Sequence, residues 1–131
     1  MTDKDKITYR KISYALISMG IRPSSQGFTF LLESIVEYGK SSDLSLSDIY
    51  RKICVKYSVS DTWRDRSMHR CIINAPKGLI ISRVNKLAEA ELLSDGRALT
   101  CNYFVSVMSE LVRFEELINF GDPQGLKDHS C

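Results

Sequence analysis

Apolar residues recur at helical spacing along most of the chain, and no stretch alternates between apolar and polar residues as a strand does. Glycine, proline, serine and aspartate cluster between the periodic segments and indicate short loops. The pattern predicts six helices, at about 7–19, 28–38, from Ser45 or Ser47 to Tyr57, 61–75, 79–93, and from Thr100 or Asn102 to Phe120. The expected class is therefore all-α, with about six helices and short loops.

The third and fourth predicted helices are short and lie close together in the sequence. Their core-facing residues are Ile49, Ile53 and Tyr57 in one helix and Met68, Cys71, Ile72 and Ala75 in the other. Ser60 is placed to cap the second helix of the pair. Two short helices joined by a tight turn are typical of a helix-turn-helix, whose second helix enters the DNA major groove. We therefore expect a helix-turn-helix at the centre of the chain, with 61–75 as its recognition helix.

Length and composition are those of one globular domain. The chain has 131 residues, of which 44% are hydrophobic, enough to form a core. We expect a single helical domain over 1–121, a loose start over 1–6 and a flexible C-terminal tail over 122–131. There is no apolar run long enough to span a membrane and no signal-peptide pattern, so we expect a cytoplasmic protein without a membrane partner.

Positive charge is concentrated in one region. The formal net charge of the whole chain is only +2, but the stretch from Arg51 to Lys77 carries +5. A local cationic surface of this kind is typical of a protein that binds phosphate groups.

Residues for catalysis or metal binding do not form a recognisable set. Cys54, Cys71, Cys101 and Cys131 form no Cys-x-x-Cys pair and have no histidine at zinc-binding spacing. We expect small buried thiols in a reducing compartment, with no role for the terminal thiol of Cys131, no metal and no cofactor. The chain also lacks a glycine-rich phosphate loop and a catalytic cysteine motif, so we do not expect an enzyme.

Two arginines lead the candidate DNA-binding residues. Arg66 and Arg70 are four residues apart and project from the same side of the predicted recognition helix. An arginine that makes two hydrogen bonds to guanine contributes about 1–3 kcal/mol of discrimination. The alternative is that both are solvated surface charges. Asp65 could accept a hydrogen bond from cytosine or orient a neighbouring arginine, and we favour the second role.

The remaining candidates are expected at the edges of the contact. His69 could donate to a base or a phosphate, or be an exposed neutral histidine. Thr62 and Trp63 stand at the helix start, where phosphate contacts are common, although Trp63 could instead pack under the preceding helix. Arg64 should point to the core side and extend its charge out to solvent at the helix end. The preceding helix offers three further phosphate-binding cations, Arg51, Lys52 and Lys56.

Four segments resemble one protein family, the C-terminal DNA-binding effector domain of the sporulation initiation (stage zero) response regulators of endospore-forming bacteria. They are residues 20–35 (GIRPSSQGFTFLLESI), 50–57 (YRKICVKY), 65–72 (DRSMHRCI) and 99–105 (LTCNYFV). The resemblance covers about residues 12–112. It implies a six-helix DNA-binding domain, control of transcription, tandem binding on short DNA boxes, and contact with the sigma subunit of RNA polymerase.

The resemblance also assigns individual residues. Arg66 matches a family arginine and Asp65 a glutamate, while His69 and Arg70 match an arginine–histidine pair in swapped order. Trp63 replaces a basic residue. The sequence departs from the family at Arg64, where the family has a buried valine, at Pro76, which ends the recognition helix early, and at 39–45, where the loop is shorter.

These patterns leave two functions open. The first is a DNA-binding transcription regulator, whose few phosphate contacts per copy would require tandem or homodimeric binding for tight control. The alternative is a protein-interaction module of the same fold that binds a regulator or sigma factor and has lost DNA binding. No receiver domain precedes the effector-like segment in this sequence, and this favours the alternative, as do Arg64 and Pro76.

Overall fold

Six α-helices form the computed structural model, which describes residues 2–40 and 43–114. They are α1 (Asp3–Ser18), α2 (Gln26–Lys40), α3 (Leu46–Tyr57), α4 (Asp61–Ile73), α5 (Lys77–Ala88) and α6 (Cys101–Arg113). No strand occurs within these two ranges. The prediction of an all-α fold with about six helices is confirmed.

Helix α2 lies at the centre of the fold and packs against α1, α3, α4 and α6. Its side chains Phe30, Leu31 and Ile35 are fully buried. The buried polar groups on this helix are satisfied: the hydroxyl of Ser34 donates to the carbonyl of Phe30 at 2.6 Å, and Ser109 of α6 donates to the carbonyl of Ile35 at 3.1 Å. The core is therefore built around one helix that touches most of the others.

A glycine allows α4 to approach α2 unusually closely. A Cβ atom added to Gly27 would lie 2.2 Å from the backbone oxygen of Ser67 and 2.6 Å from Sγ of Cys71. No side chain fits at such distances, so the backbone of α4 rests directly on the first turn of α2. This contact fixes the position of α4 against the core.

Helix α1 begins earlier than the sequence pattern predicted. The hydroxyl of Thr2 accepts a hydrogen bond from the amide of Asp5, and the Asp5 carboxylate accepts one from the amide of Thr2. This reciprocal capping satisfies free amides at the helix start. Lys40 of α2 also lies 3.2 Å from the Asp5 carboxylate, and this hydrogen bond is the main cause of the lowered pKa of Asp5. The expectation that residues 1–6 are loose is therefore wrong for residues 2–6.

Helix α5 ends earlier than predicted. Glu89 adopts a left-handed conformation with φ of 53°, which ends the helix at Ala88 rather than Leu93. The side chain of Asn85 then accepts hydrogen bonds from the amides of Leu92 and Leu93 and holds the turn in place. Glu91, within the predicted range of this helix, is exposed beyond its observed end.

The other predicted bounds are close to those in the structure. Helix α4 ends at Ile73, two residues before the predicted end, with Asn74 as its cap. The expected continuation of the last helix to Phe120 and the expected tail over 122–131 lie outside the described residues. Among the described helices, none is both long enough and apolar enough to cross a membrane.

Candidate nucleic-acid interface

Helices α3 and α4 are consecutive and are joined by residues 58–60. Ser45, rather than Ser47, caps α3. The chain leaves α3 through Ser58, which is left-handed with φ of 54°. As predicted, Ser60 caps α4, and its hydroxyl accepts from the amide of Trp63 at 3.0 Å. Local capping chemistry therefore sets both helix starts and the short connection between them.

Helix α4 has a buried face and an exposed face. The buried residues are Arg64, Met68, Cys71 and Ile72. We call the opposite, exposed side the outer face of α4; its residues are Thr62, Asp65, Arg66, His69, Arg70 and Ile73. The division follows the helical period, and it places the predicted base-reading residues in solvent.

The polar side chains of the outer face have no partners among the residues that the structure describes. Within the described part of the chain, Thr62, Asp65, Arg66, His69 and Arg70 make no side-chain hydrogen bond or ion pair. A ligand could therefore bind these groups without first breaking protein contacts. Such a surface can bind a polyanion that presents acceptors along its length.

Trp63 fastens the start of α4 to the start of α2. Its indole Nε1 donates to Oε1 of Gln26 at 2.7 Å, and the side chain remains 44% exposed. The contact that anchors Trp63 is therefore with α2, and not the packing under α3 that the sequence left as an alternative. One edge of the ring is thus held by the protein while the rest stays accessible to a ligand.

A cleft of about 240 Å³ runs along one margin of the outer face. Arg22, from the turn between α1 and α2, and Arg70 of α4 both line it, together with Gln26, Trp63 and Asn74. Sequence reasoning missed Arg22 and Gln26, because 48 residues separate Arg22 from Arg70.

The opposite margin of the outer face lies beside the start of α6. Asp65 and His69 line a shallow depression with residues 98–102. Arg70 therefore lines the Arg22 cleft, whereas Asp65 and His69 lie beside the start of α6. Arg66 lies between the two margins and is the most outward of the arginines.

The cations of α3 are less available for phosphate binding than Arg66 and Arg70 of α4. The ammonium of Lys56 lies 2.6 Å from Oε1 of Glu33, and this hydrogen bond raises the pKa of Lys56. The hydroxyl of Tyr57 donates to the same carboxylate oxygen at 2.7 Å. Arg51 lies 3.8 Å from Asp48 but is highly exposed. A phosphate contact from Lys56 would have to replace an ion pair.

Lys52 is exposed, but it shares a groove with acidic residues. That groove lies between α2 and α3 and is lined by Glu33, Glu37, Lys52 and Lys56. Of the three predicted phosphate-binding cations of α3, two therefore sit beside carboxylates of α2. Arg66 and Arg70 of α4 and the exposed Arg22, in contrast, have no carboxylate partner among the described residues.

Arg64 does not extend to solvent, and that prediction is wrong. The side chain is only 8% exposed, and its guanidinium carbon lies 3.9 Å from the ring centre of Tyr50. One guanidinium nitrogen donates to Sδ of Met68 at 3.4 Å, while Nε is buried without a partner among the described residues. Tyr50 covers the guanidinium because its own hydroxyl is held by Asn102 of α6 at 2.8 Å.

The described cysteines are free thiols. Cys71 and Cys101 are buried and Cys54 is partly buried, while Cys131 lies outside the described residues. Burial is the main cause that raises the pKa of Cys101 to about 11 and the pKa of Cys71 above its usual value. Thiols of this kind stay protonated near neutral pH and are poor nucleophiles. Across residues 2–40 and 43–114, no three side chains of metal-ligand type come together.

Over the described residues, fold and surface define a class: six α-helices and no strand, with one side of α4 exposed and its arginines Arg66 and Arg70 without a partner among those residues. Comparison with protein-family models, curated proteins and solved structures finds no match to this chain. The resemblance to sporulation effector domains therefore stays a prediction based on the sequence motifs.

Proposed function

We propose that the protein binds double-stranded DNA and regulates transcription, with α4 as the recognition helix in the major groove. One observation carries the proposal. Arg66, His69 and Arg70 are exposed on one side of α4 and have no partner within 2–40 and 43–114, while the other side is fixed against α2. A rigidly mounted helix with free donors meets the geometric requirement for reading base edges.

Each outer-face residue has a proposed role that follows from its position. Arg66 points farthest outward and contacts a guanine. Arg70 and Arg22 lie on one cleft and hold a backbone phosphate between them. Thr62 lies at the helix start, where hydroxyl and amide donors bind phosphate. Asp65 makes no ion pair with an arginine among the described residues, so its proposed role is to accept from a cytosine amine, with His69 donating beside it.

Affinity comes mainly from neutralised phosphates. The segment from Arg51 to Lys77 carries +5, but Lys56 is already paired with Glu33. A single copy therefore has few phosphate contacts, and we expect weak binding to one site and tighter binding to tandem sites.

The test begins with selection of bound duplexes from a random library, followed by titrations at several salt concentrations. We expect affinity to fall steeply as salt rises, because phosphate contacts release counterions. Arg66→Ala should cost about 1–3 kcal/mol on the selected duplex and much less on an unrelated one. Lys52→Ala should weaken both duplexes alike.

Lys86→Ala is the matched control, because Lys86 is an exposed cation on α5 and its loss changes the net charge equally. We expect this variant to bind the selected duplex almost as well as the parent. If Arg66→Ala and Lys86→Ala behave alike, α4 is not the recognition helix.

A second candidate function has its own support. Trp63 is 44% exposed and Ile73 is 58% exposed, and both lie beside the unpaired arginines of α4. Tryptophan and arginine are the residues that most often dominate the binding energy of protein interfaces. The surface thus also fits a protein partner, either a regulator or a sigma subunit of RNA polymerase.

Calorimetry with a purified sigma subunit and with duplex DNA separates the two functions. The interaction-module function predicts no detectable DNA binding and a sigma complex that Ile73→Ser weakens. DNA binding that is sensitive to salt and to Arg66→Ala would favour the first function instead.

A further inference from the structure

Helix α1 has apolar residues on both of its sides. Ile12, Ala15 and Leu16 are fully buried against the core. On the opposite side, Ile7 is 51%, Tyr14 49% and Ile17 45% exposed, and Arg10 lies among them. We call these four residues the outer stripe of α1. No described part of the chain covers this apolar surface.

The outer stripe has the spacing of a helix-pairing seam. Its positions 7, 10, 14 and 17 follow steps of three, four and three residues, as in a heptad repeat. These steps are the same when the helix is followed in the opposite direction, so the stripe of one copy can pair with the stripe of a second, antiparallel copy. In that register Ile7 faces Ile17 of the second copy and Arg10 faces Tyr14. Such mutual contacts are the property of a two-fold symmetric interface.

The contacts in this register are chemically favourable. The two isoleucine pairs bury apolar surface at each end of the seam. At the centre, the guanidinium of Arg10 lies against the ring of Tyr14 from the other copy. The protein already uses this pairing internally, where Arg64 lies 3.9 Å from the ring centre of Tyr50 and Arg97 lies 4.1 Å from that of Tyr103.

The ends of α1 are also complementary in the antiparallel arrangement. The last turn of α1 has no basic residue to offset its partial negative charge. In the proposed register, Lys6 of the second copy lies beside Ser18 in that last turn. The second copy thus supplies the cation that the helix end itself lacks.

We propose that a second copy of this chain docks on the outer stripe of α1, forming an antiparallel two-fold homodimer. The seam is one helix wide and is smaller than the roughly 800 Å² per partner of a standard interface. The dimer is therefore weak and forms in the micromolar range or above. The inference does not depend on the proposed DNA binding.

Sedimentation equilibrium of the full chain at increasing concentration tests the dimer. We expect a monomer–dimer equilibrium that Ile17→Glu weakens at least about tenfold, because each dimer contains two Ile7–Ile17 contacts and the substitution acts on both. Val55→Glu is the matched control, since Val55 is 76% exposed on α3. Circular dichroism melts should show that both variants keep the fold.

A mixing experiment tests the register. Ile7→Lys and Ile17→Glu should each be monomeric, but an equimolar mixture should dimerise, because one isoleucine pair remains and lysine faces glutamate at the other. In a parallel pair, residue 7 would face residue 7 and residue 17 would face residue 17. Lysine would then face isoleucine and glutamate would face isoleucine, so mixing the two variants would not restore the dimer. The proposal is overturned if the parent chain stays monomeric up to about 1 mM, if Val55→Glu disrupts the dimer equally, or if mixing restores nothing.

Discussion

Arg64 is the residue whose environment departs most from what the sequence suggested. Its place in the first turn of α4 favoured a side chain that reaches solvent, but Tyr50 and Met68 enclose its guanidinium instead. The enclosing side chains come from α3 and α4, and the Tyr50 ring is held by Asn102 of α6. The burial of Arg64 depends on side chains from three helices, so it cannot be predicted from the spacing of residues within α4 alone.

Replacing Arg64 with methionine should stabilise the protein by about 1 kcal/mol. The buried guanidinium has no carboxylate within ion-pair distance among the described residues, and its Nε lacks a hydrogen-bond partner. Exchange of a poorly compensated buried charge for an apolar side chain of similar size is often neutral or stabilising by about 1–4 kcal/mol. The lost contact with the Tyr50 ring offsets part of this gain. Urea denaturation measures the difference, and a loss above about 1 kcal/mol would contradict this account.

At the scale of elements, the sequence predicted the helices well where the signal was local. Ser60 was identified as a cap because a serine precedes a periodic segment, and it does cap α4. The end of α5 was missed because it depends on Asn85, which binds the backbone seven and eight residues further along. The early start of α1 was missed because the Thr2–Asp5 capping box was not recognised among charged residues.

The contact between α2 and α4 depends on the absence of a side chain at residue 27. Gly27→Ala should lower the free energy of unfolding by about 1–3 kcal/mol or more, because the Cβ of the alanine would collide with the Ser67 backbone. Gly78→Ala is the control: Gly78 lies in α5 with open space around it, and alanine there should stabilise by about 0.5–1 kcal/mol. Thermal or urea denaturation of both variants checks the contrast. Equal effects at both positions would contradict a close approach at Gly27.

At the scale of the whole molecule, the sequence anticipated the fold class and the exposed side of α4, but not the surroundings of that side. The charge count predicts a cationic surface between Arg51 and Lys77 but does not say which of these cations are paired. The structure places Glu33 of α2 against Lys56 and brings Arg22, from the turn between α1 and α2, to the cleft that Arg70 lines. Both features depend on residues that are distant from one another in the chain. Periodicity within a segment carries no information about such contacts.

Because α2 touches four other helices, its amide hydrogens can meet solvent only when most of the molecule opens. We therefore expect α2 to show the slowest deuterium uptake, with opening free energies close to that of complete unfolding. Helix α5 packs mainly on α6 and should exchange through smaller, more frequent openings. Mass spectrometry of exchanged peptides would show this order, and rapid labelling of α2 would mean that the scaffold beneath α4 is not the rigid centre described above.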